Sequence, residues 1–453
     1  MGAFDESFIM RSVSLWFLAL AVWGCSAIGS AAHADEASIP NALQTYVSQP
    51  DDSFAWKIHG QTEQALGRIY DVELTSQTWQ GIVWKHVMMV YEPKAMRHRE
   101  QALLFITGGG HLNKPRAEEQ QMGLMLATLA GARVAMLHQV PNQPLFDNRV
   151  EDDLITETLL KYLATGDKSW PLLFPMVKSA VRGMDAVEQL GRDQKWNVPI
   201  TSFVVTGASK RGWTTWLSAV ADKRVVGIAP MVIDTLNFQK QMDYQLETWG
   251  KYSEQIVDYE SKGLIQKMRD DRTAPLWSWL DPHTYRSQLT LPKLIINGTN
   301  DRYWTVDALN NYWDDLSGPK FIHYVTNAGH NLKNSQGGRE AALATLAVFF
   351  EHVVAKQPLP TLAWTHADGD GVCRLTITSK PEPISVRLWT AGSSTKDFRE
   401  SKWESKMLTA KSNGEFIGEA AKPAGSHIAL FGEVQFATPT GTIFKFSTQM
   451  RRE

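Results

Sequence analysis

The chain runs to 453 residues, 43% of them hydrophobic, which allows a large buried core and more than one domain. Its 46 basic and 48 acidic residues nearly cancel, which excludes the charge footprint of a nucleic-acid binder or of a protein held on an anionic membrane. Two cysteines, Cys25 and Cys373, allow at most one internal disulfide.

At the N-terminus, Arg11 precedes an apolar stretch from Val13 to Trp23, and Ala32-His33-Ala34 gives a small-x-small pattern before Asp35-Glu36. This reads as a secretory leader over residues 1–34, cleaved after Ala34. Met10 makes a better leader start than Met1, because Asp5 and Glu6 are foreign to a positively charged leader. Gly24-Cys25 suggests a lipoprotein site, but Trp23 is too bulky for it, and cleavage after Ala34 ranks ahead. Cleavage removes Cys25 and leaves Cys373 alone, so stability must come from core burial. No other apolar run approaches the roughly eighteen residues of a membrane span, so we expect no stable membrane insertion and a periplasmic or secreted protein.

Residues from about Leu66 to Tyr91 alternate in strand fashion, an antiparallel start to a sheet. Short apolar strands follow at Ala102 to Thr107, Arg133 to His138, Ile200 to Val205, Val225 to Ile233, Lys293 to Asn297 and Phe321 to Thr326. Helical segments at Asp152 to Leu163, Met176 to Leu190, Lys210 to Val220 and Ala341 to Val354 alternate with them. The pattern predicts an α/β fold, a mainly parallel sheet with helices on both faces, over residues 35–358. Between about Leu236 and Tyr285 the alternation stops and aromatics gather (Phe238, Tyr244, Trp249, Tyr252, Tyr259, Trp277, Trp279, Tyr285), which predicts a lid insertion that shapes a substrate pocket. A helical excursion without substrate contact is the plainer alternative. The 17 tryptophans mostly fill core, with some expected at a site for a ring-bearing or apolar substrate. Beyond Pro358-Leu359-Pro360 the helices end, and alternating segments such as Cys373 to Ile377 and His427 to Phe431 predict a small C-terminal antiparallel β-sandwich over 359–453.

The stretch Val205-Thr206-Gly207-Ala208-Ser209-Lys210-Arg211-Gly212-Trp213-Thr214 reads as a nucleophile elbow, a strand meeting a turn with Ser209 at its apex and a helix following. Gly207 and Gly212 leave room for strand and helix to approach. Its spacing is G-x-S-x-x-G rather than the commoner G-x-S-x-G, so the context has to carry the reading. Downstream, one apolar strand ends in a turn presenting Asp301 and another in Asn327-Ala328-Gly329-His330. Ser209, Asp301 and His330 thus follow in the order Ser, Asp, His, each just past a predicted parallel strand, where such sheets hold active sites. Taken singly, Ser209 and Asp301 can be helix caps and His330 an ordinary loop histidine; order and placement together favour a triad. Asp307, Asp314 and Asp315 are rivals for the acid and His323 for the base, all less well placed.

In that chemistry His330 takes the Ser209 proton and Asp301 fixes the imidazole tautomer. The oxyanion then needs donors, for which the backbone N–H of Lys210 and the glycine run Gly108-Gly109-Gly110 after a strand are candidates. A phosphate loop is the alternative for that run, but no Gly-Lys-Ser/Thr follows. Lys210 and Arg211 oppose the dipole of the helix they begin. Each either pairs with an acid such as Glu151 or Asp152, or meets an anionic substrate group or the oxyanion. No cofactor or metal is implied; Asp368-Gly369-Asp370-Gly371 lacks the bidentate acid of a calcium loop and reads as a turn.

The segment Gly207-Ala208-Ser209-Lys210-Arg211-Gly212-Trp213-Thr214-Thr215-Trp216, with Asp281-Pro282-His283-Thr284-Tyr285-Arg286 and Asn327-Ala328-Gly329-His330-Asn331-Leu332, resembles the PhoPQ-activated pathogenicity-related family of bacterial exported proteins. The resemblance extends over essentially the whole mature chain. It implies an α/β-hydrolase fold with Ser209, Asp301 and His330 as triad, and it implies no particular substrate. The elbow is also similar to that of glucuronoyl esterases, whose basic residue after the serine sits where Lys210 does. Three functions compete. An exported serine hydrolase acting on carboxylic esters comes first, its substrate a small molecule or a peptide. A prolyl-oligopeptidase-type peptidase comes second and needs Glu254, Asp258 or Glu260 to hold a peptide amine. A non-catalytic virulence or signalling protein that retains the triad comes third.

Overall fold

A computed structural model describes residues 39–110, 113–369, 371–422 and 424–453. The predicted leader, Cys25, His111 and Asp370 lie outside the described residues.

Nine strands form the large sheet: β1 (Ala55–Gln64), β2 (Gly67–Trp79), β3 (Ile82–Pro93), β4 (His98–Ile106), β5 (Ala132–Leu137), β6 (Ser202–Ala208), β7 (Val225–Met231), β8 (Lys293–Gly298) and β9 (Lys320–Val325). Their order across the sheet is β1-β2-β3-β5-β4-β6-β7-β8-β9. The first three form an antiparallel meander that joins β5 antiparallel, and the pairings from β5 to β9 are parallel. β5 and β8 are buried along their whole length, as a sheet covered on both faces requires. The chain lays β5 on one side of β4 and then crosses to lay β6 on the other. That switch in direction opens a crevice at the carboxyl ends of β4 and β6, where the glycine run and Ser209 lie.

The helices within and around this sheet are α1 (Ala42–Ser48), α2 (Ala117–Ala130), α3 (Glu151–Thr165), α4 (Leu173–Asp193), α5 (Lys210–Ala221), α6 (Phe238–Trp249), α7 (Val257–Ser261), α8 (Leu264–Lys267), α9 (Ala274–Leu280) and α10 (Gly338–Val354). α1, α3, α4 and α5 share one buried core, whereas α2 and α10 belong to another on the opposite face. Strand order, parallel pairing and two-sided helices make this an α/β-hydrolase fold.

The insertion between β7 and β8 holds α6 to α9. Most of its aromatics turn inward, contrary to a pocket lined by them. Phe238 stacks between Trp213 of α5 and Trp277 of α9, with centroids 5.7 and 5.9 Å away. Tyr259, Trp279 and Tyr285 are buried with them, because large rings gain most from leaving water.

After α10 come β10 (Thr361–Gly369), β11 (Val372–Lys380), β12 (Ser385–Ser393), β13 (Glu404–Leu408), β14 (Phe416–Ala421), β15 (His427–Ala437), β16 (Ile443–Ser447) and β17 (Arg451–Arg452). They form two antiparallel sheets, β10-β11-β14 and β13-β12-β15-β16, with β17 beside β15. These sheets share their core with α2 and α10. Phe446 of β16 stacks on Phe321 of β9 at 5.0 Å, and Phe431 of β15 meets Tyr324 edge-on at 5.1 Å. Residues 39–453 therefore close into one compact unit. Among the described residues no helix is long and apolar enough to cross a membrane.

Candidate active site

Ser209 sits between β6 and α5 with φ 59° and ψ −128°, a conformation that costs a residue with a side chain about 1–3 kcal/mol. The surroundings impose it. The Ser209 N–H donates to Met231 O (2.9 Å), and the Ser209 carbonyl accepts from Trp213 N–H (3.0 Å). A Cβ on Gly207 would lie 2.7 Å from Arg211 O, and one on Gly212 would lie 2.6 Å from Ile233 Cγ2, so strand and helix meet too closely for alanine at either. The half-buried Ser209 thus stands where the first N–H groups of α5 have no intrahelical acceptor.

Asp301 and His330 come together because their turns nest. A Cβ on Gly298, at the end of β8, would lie 2.4 Å from Ala328 O and 2.6 Å from Gly329 O. Across this contact Asn300 N–H donates to Ala328 O (3.0 Å), and Asn327 N–H donates to Thr299 Oγ1 (2.9 Å). Asp301 Oδ2 accepts from His330 Nδ1–H at 2.8 Å, while Oδ1 accepts the backbone N–H of Tyr303 at 2.9 Å. With Nδ1 donating, Nε2 is the ring's acceptor; it is buried and has no hydrogen-bond partner among the described residues, Ser209 included. The Tyr303 ring covers the imidazole, centroid to centroid 4.3 Å.

Lys210 and Arg211 are both buried and ion-paired, the first of the two alternatives that the helix-dipole argument left. Lys210 Nζ meets Asp152 Oδ2 at 2.9 Å and Glu151 Oε2 at 3.3 Å. Arg211 forks onto both Glu151 oxygens (2.8 and 2.7 Å) and donates Nε–H to Val140 O. Burial would raise the Glu151 carboxyl, but the Arg211 hydrogen bonds and the two cations hold it down at about 2. A Cβ on Gly108 would lie 2.4 Å from Arg211 Nη2, so the glycine run serves first to admit this guanidinium. Gly108, Gly109 (φ 112°) and Gly110 then line a cavity of about 480 Å³ with Asn113, His138, Gln139 and Arg211. Asp152 also accepts from Tyr303 (3.4 Å) and from Tyr259 of the insertion (3.2 Å), which ties α7 to the residue after Ser209.

Two of the rival acids are engaged elsewhere. Asp307 accepts from Tyr244 and pairs with Arg452, and Asp315 pairs with His283. His323 lies in β9, where burial pushes its imidazole down to about 3 and keeps it neutral. Of the acids considered for a peptide amine, Glu254 is taken by Arg302 and Arg399. Sequence reasoning missed Asp234, which follows β7 as Asp301 follows β8. Its Oδ1 accepts from Tyr312 OH and its Oδ2 from Asn297 Nδ2 (2.8 Å). Burial, reinforced by the Asp301 charge, pushes it up to about 6.

A family model described as PhoPQ-activated pathogenicity-related protein matches residues 43–399, stopping inside the β12–β13 connection. Autocrine proliferation repressor protein A of Dictyostelium discoideum is 30% identical over 431 residues, covering 87% of this chain and 85% of that protein. Among solved structures, an acetyl xylan esterase from Paenibacillus sp. R4 is 15% identical with a TM-score of 0.49, covering 68% of this chain and 92% of that one. A glucuronoyl esterase from Solibacter usitatus is 13% identical with a TM-score of 0.43, over 69% and 91% of the two chains.

Proposed function

The chain belongs to the PhoPQ-activated pathogenicity-related protein family, and we propose that it is an exported serine hydrolase that cleaves carboxylic esters through an acyl-enzyme. The observation that carries this is the Asp301–His330 hydrogen bond with His330 Nε2 left unbonded, together with a serine held at positive φ in the turn between β6 and α5. Ser209 Oγ attacks the ester carbonyl as Nε2 takes its proton, and Asp301 holds the tautomer and stabilises the imidazolium. His330 then returns the proton to the departing alcohol, and water repeats the sequence on the acyl-enzyme. The Lys210 N–H and an N–H of the Gly108–Gly110 run are the donors for the tetrahedral oxyanion, each worth about 3 kcal/mol. The leader over residues 1–34 takes the protein to the periplasm or outside the cell.

A signalling protein that keeps the fold without catalysis is a second reading, favoured by the name of the Dictyostelium relative. A panel of p-nitrophenyl esters and aminoacyl amides tests the proposal. Ester turnover that disappears in Ser209→Ala supports it; turnover of amides alone sinks the ester assignment, and no turnover by the folded protein favours the second reading.

A further inference from the structure

The connection between β12 and β13 reaches the turns of both Asp301 and His330. Asn300, next to Asp301, donates its carboxamide hydrogens to the carbonyls of Ser401 (2.7 Å), Arg399 (3.1 Å) and Phe398 (3.5 Å). The side chain of Asn327, three residues before His330, is clasped by Trp403: its Oδ1 accepts the Trp403 N–H (2.8 Å) and its Nδ2 donates to the Trp403 carbonyl (3.0 Å). Arg302, on the other side of Asp301, pairs with Glu400. One run of six residues, 398–403, therefore holds the acid turn on both flanks and the base turn on one.

That run is itself fixed. The Trp403 indole is buried against Phe431 of β15 at 5.4 Å, edge-on. Arg399 lies 4.0 Å over the Trp249 ring and donates to Asp397 and Glu254. Backbone carbonyls and amides held this way are rigid partners, and carboxamides bonded to them fix the turns they project from.

We propose that residues 398–403 are a positioning clamp for Asp301 and His330, so that the C-terminal sheets are part of the hydrolytic machinery; this rests on the triad reading above. Asn300 and Asn327 act through their neighbours and touch no substrate.

The two clasps differ in polarity, and the test uses that. Toward the clamp Asn300 only donates, its Oδ1 accepting instead from Thr299 Oγ1 (2.8 Å), so Asn300→Asp turns a carboxylate toward three carbonyls and should be worse than Asn300→Ala. Asn327 both accepts and donates, so Asn327→Asp keeps one bond and should retain more activity than Asn327→Ala. On p-nitrophenyl acetate we expect kcat to fall about 10- to 100-fold in the alanine variants, with KM within about twofold. Melting curves identify variants that do not fold, and if the alanine pair fails the aspartate pair carries the comparison. Wild-type kcat in folded variants, or a loss that ignores the Asp/Ala order and follows melting temperature and KM together, overturns the clamp. Ser209→Ala runs alongside. If it retains turnover, the triad reading fails; if it is inactive while the asparagine variants match wild type, only the clamp fails.

Discussion

Gly298→Ala probes the nesting of the acid and base turns. The added Cβ would lie 2.4 Å from Ala328 O, and ordinary contact begins at 3.4 Å, so the turns must part by about 1 Å (3.4 − 2.4). Neither obstacle is the end of a flexible side chain; both are backbone oxygens of the His330 turn. A 2.8 Å Asp301–His330 bond does not survive lengthening by that amount. Misplacement of about 1 Å costs on the order of 10²-fold in rate, and overpacking costs about 1–3 kcal/mol of stability. We expect kcat on p-nitrophenyl acetate to fall about 10²-fold with KM little changed, and urea unfolding to report the stability loss. Wild-type kcat in Gly298→Ala would refute the claim that this contact sets the acid–base geometry.

Three further substitutions separate structural from chemical roles. Arg211→Ala strips the partly exposed Glu151 of its forked partner but leaves it Lys210, and should cost about 1–3 kcal/mol in urea unfolding, whereas a loss under about 0.5 kcal/mol would show that the pair is dispensable. Lys210→Met should leave the ratio of turnover on neutral and anionic esters unchanged within about twofold, because the ammonium is committed to Asp152 and Glu151; a selective loss on the anionic ester would return Lys210 to substrate binding. Asp234→Asn addresses a carboxyl raised from 3.8 to about 6, whose wild-type stability contribution is full below about pH 4 and is lost as pH rises through about 6. The variant should match wild type near pH 4 and exceed it by up to about 3 kcal/mol at pH 8; parallel pH profiles of stability would contradict that.

The parallel strands were legible because each is a short apolar run closed by a turn, and the three turns carrying Ser209, Asp301 and His330 inherit that clarity. Edge strand β1 and helix α2 were not, since β1 is polar and largely exposed and α2 follows its acidic first turn with a nearly continuous apolar run. Asp234 shows the limit of local pattern. It carries the same strand-end signal as Asp301, but its partners Asn297 and Tyr312 lie 63 and 78 residues away. Lys210 and Arg211 were flagged by their unfavourable place at a helix start, and Glu151 and Asp152 were among the partners that argument offered. The aromatics of the insertion misled, because a run of large rings reads alike whether it lines a pocket or stacks into a core. Asn300 and Asn327 looked like turn residues, and their bonds to residues 398–403 join them to partners 101 and 76 residues further on.

The central claim is that Ser209 is the nucleophile. Folded protein treated with a fluorophosphonate and mapped by peptide mass spectrometry should carry a single adduct, on the peptide containing Ser209, and Ser209→Ala should carry none. An adduct on another residue, or equal labelling of the two proteins, would contradict it.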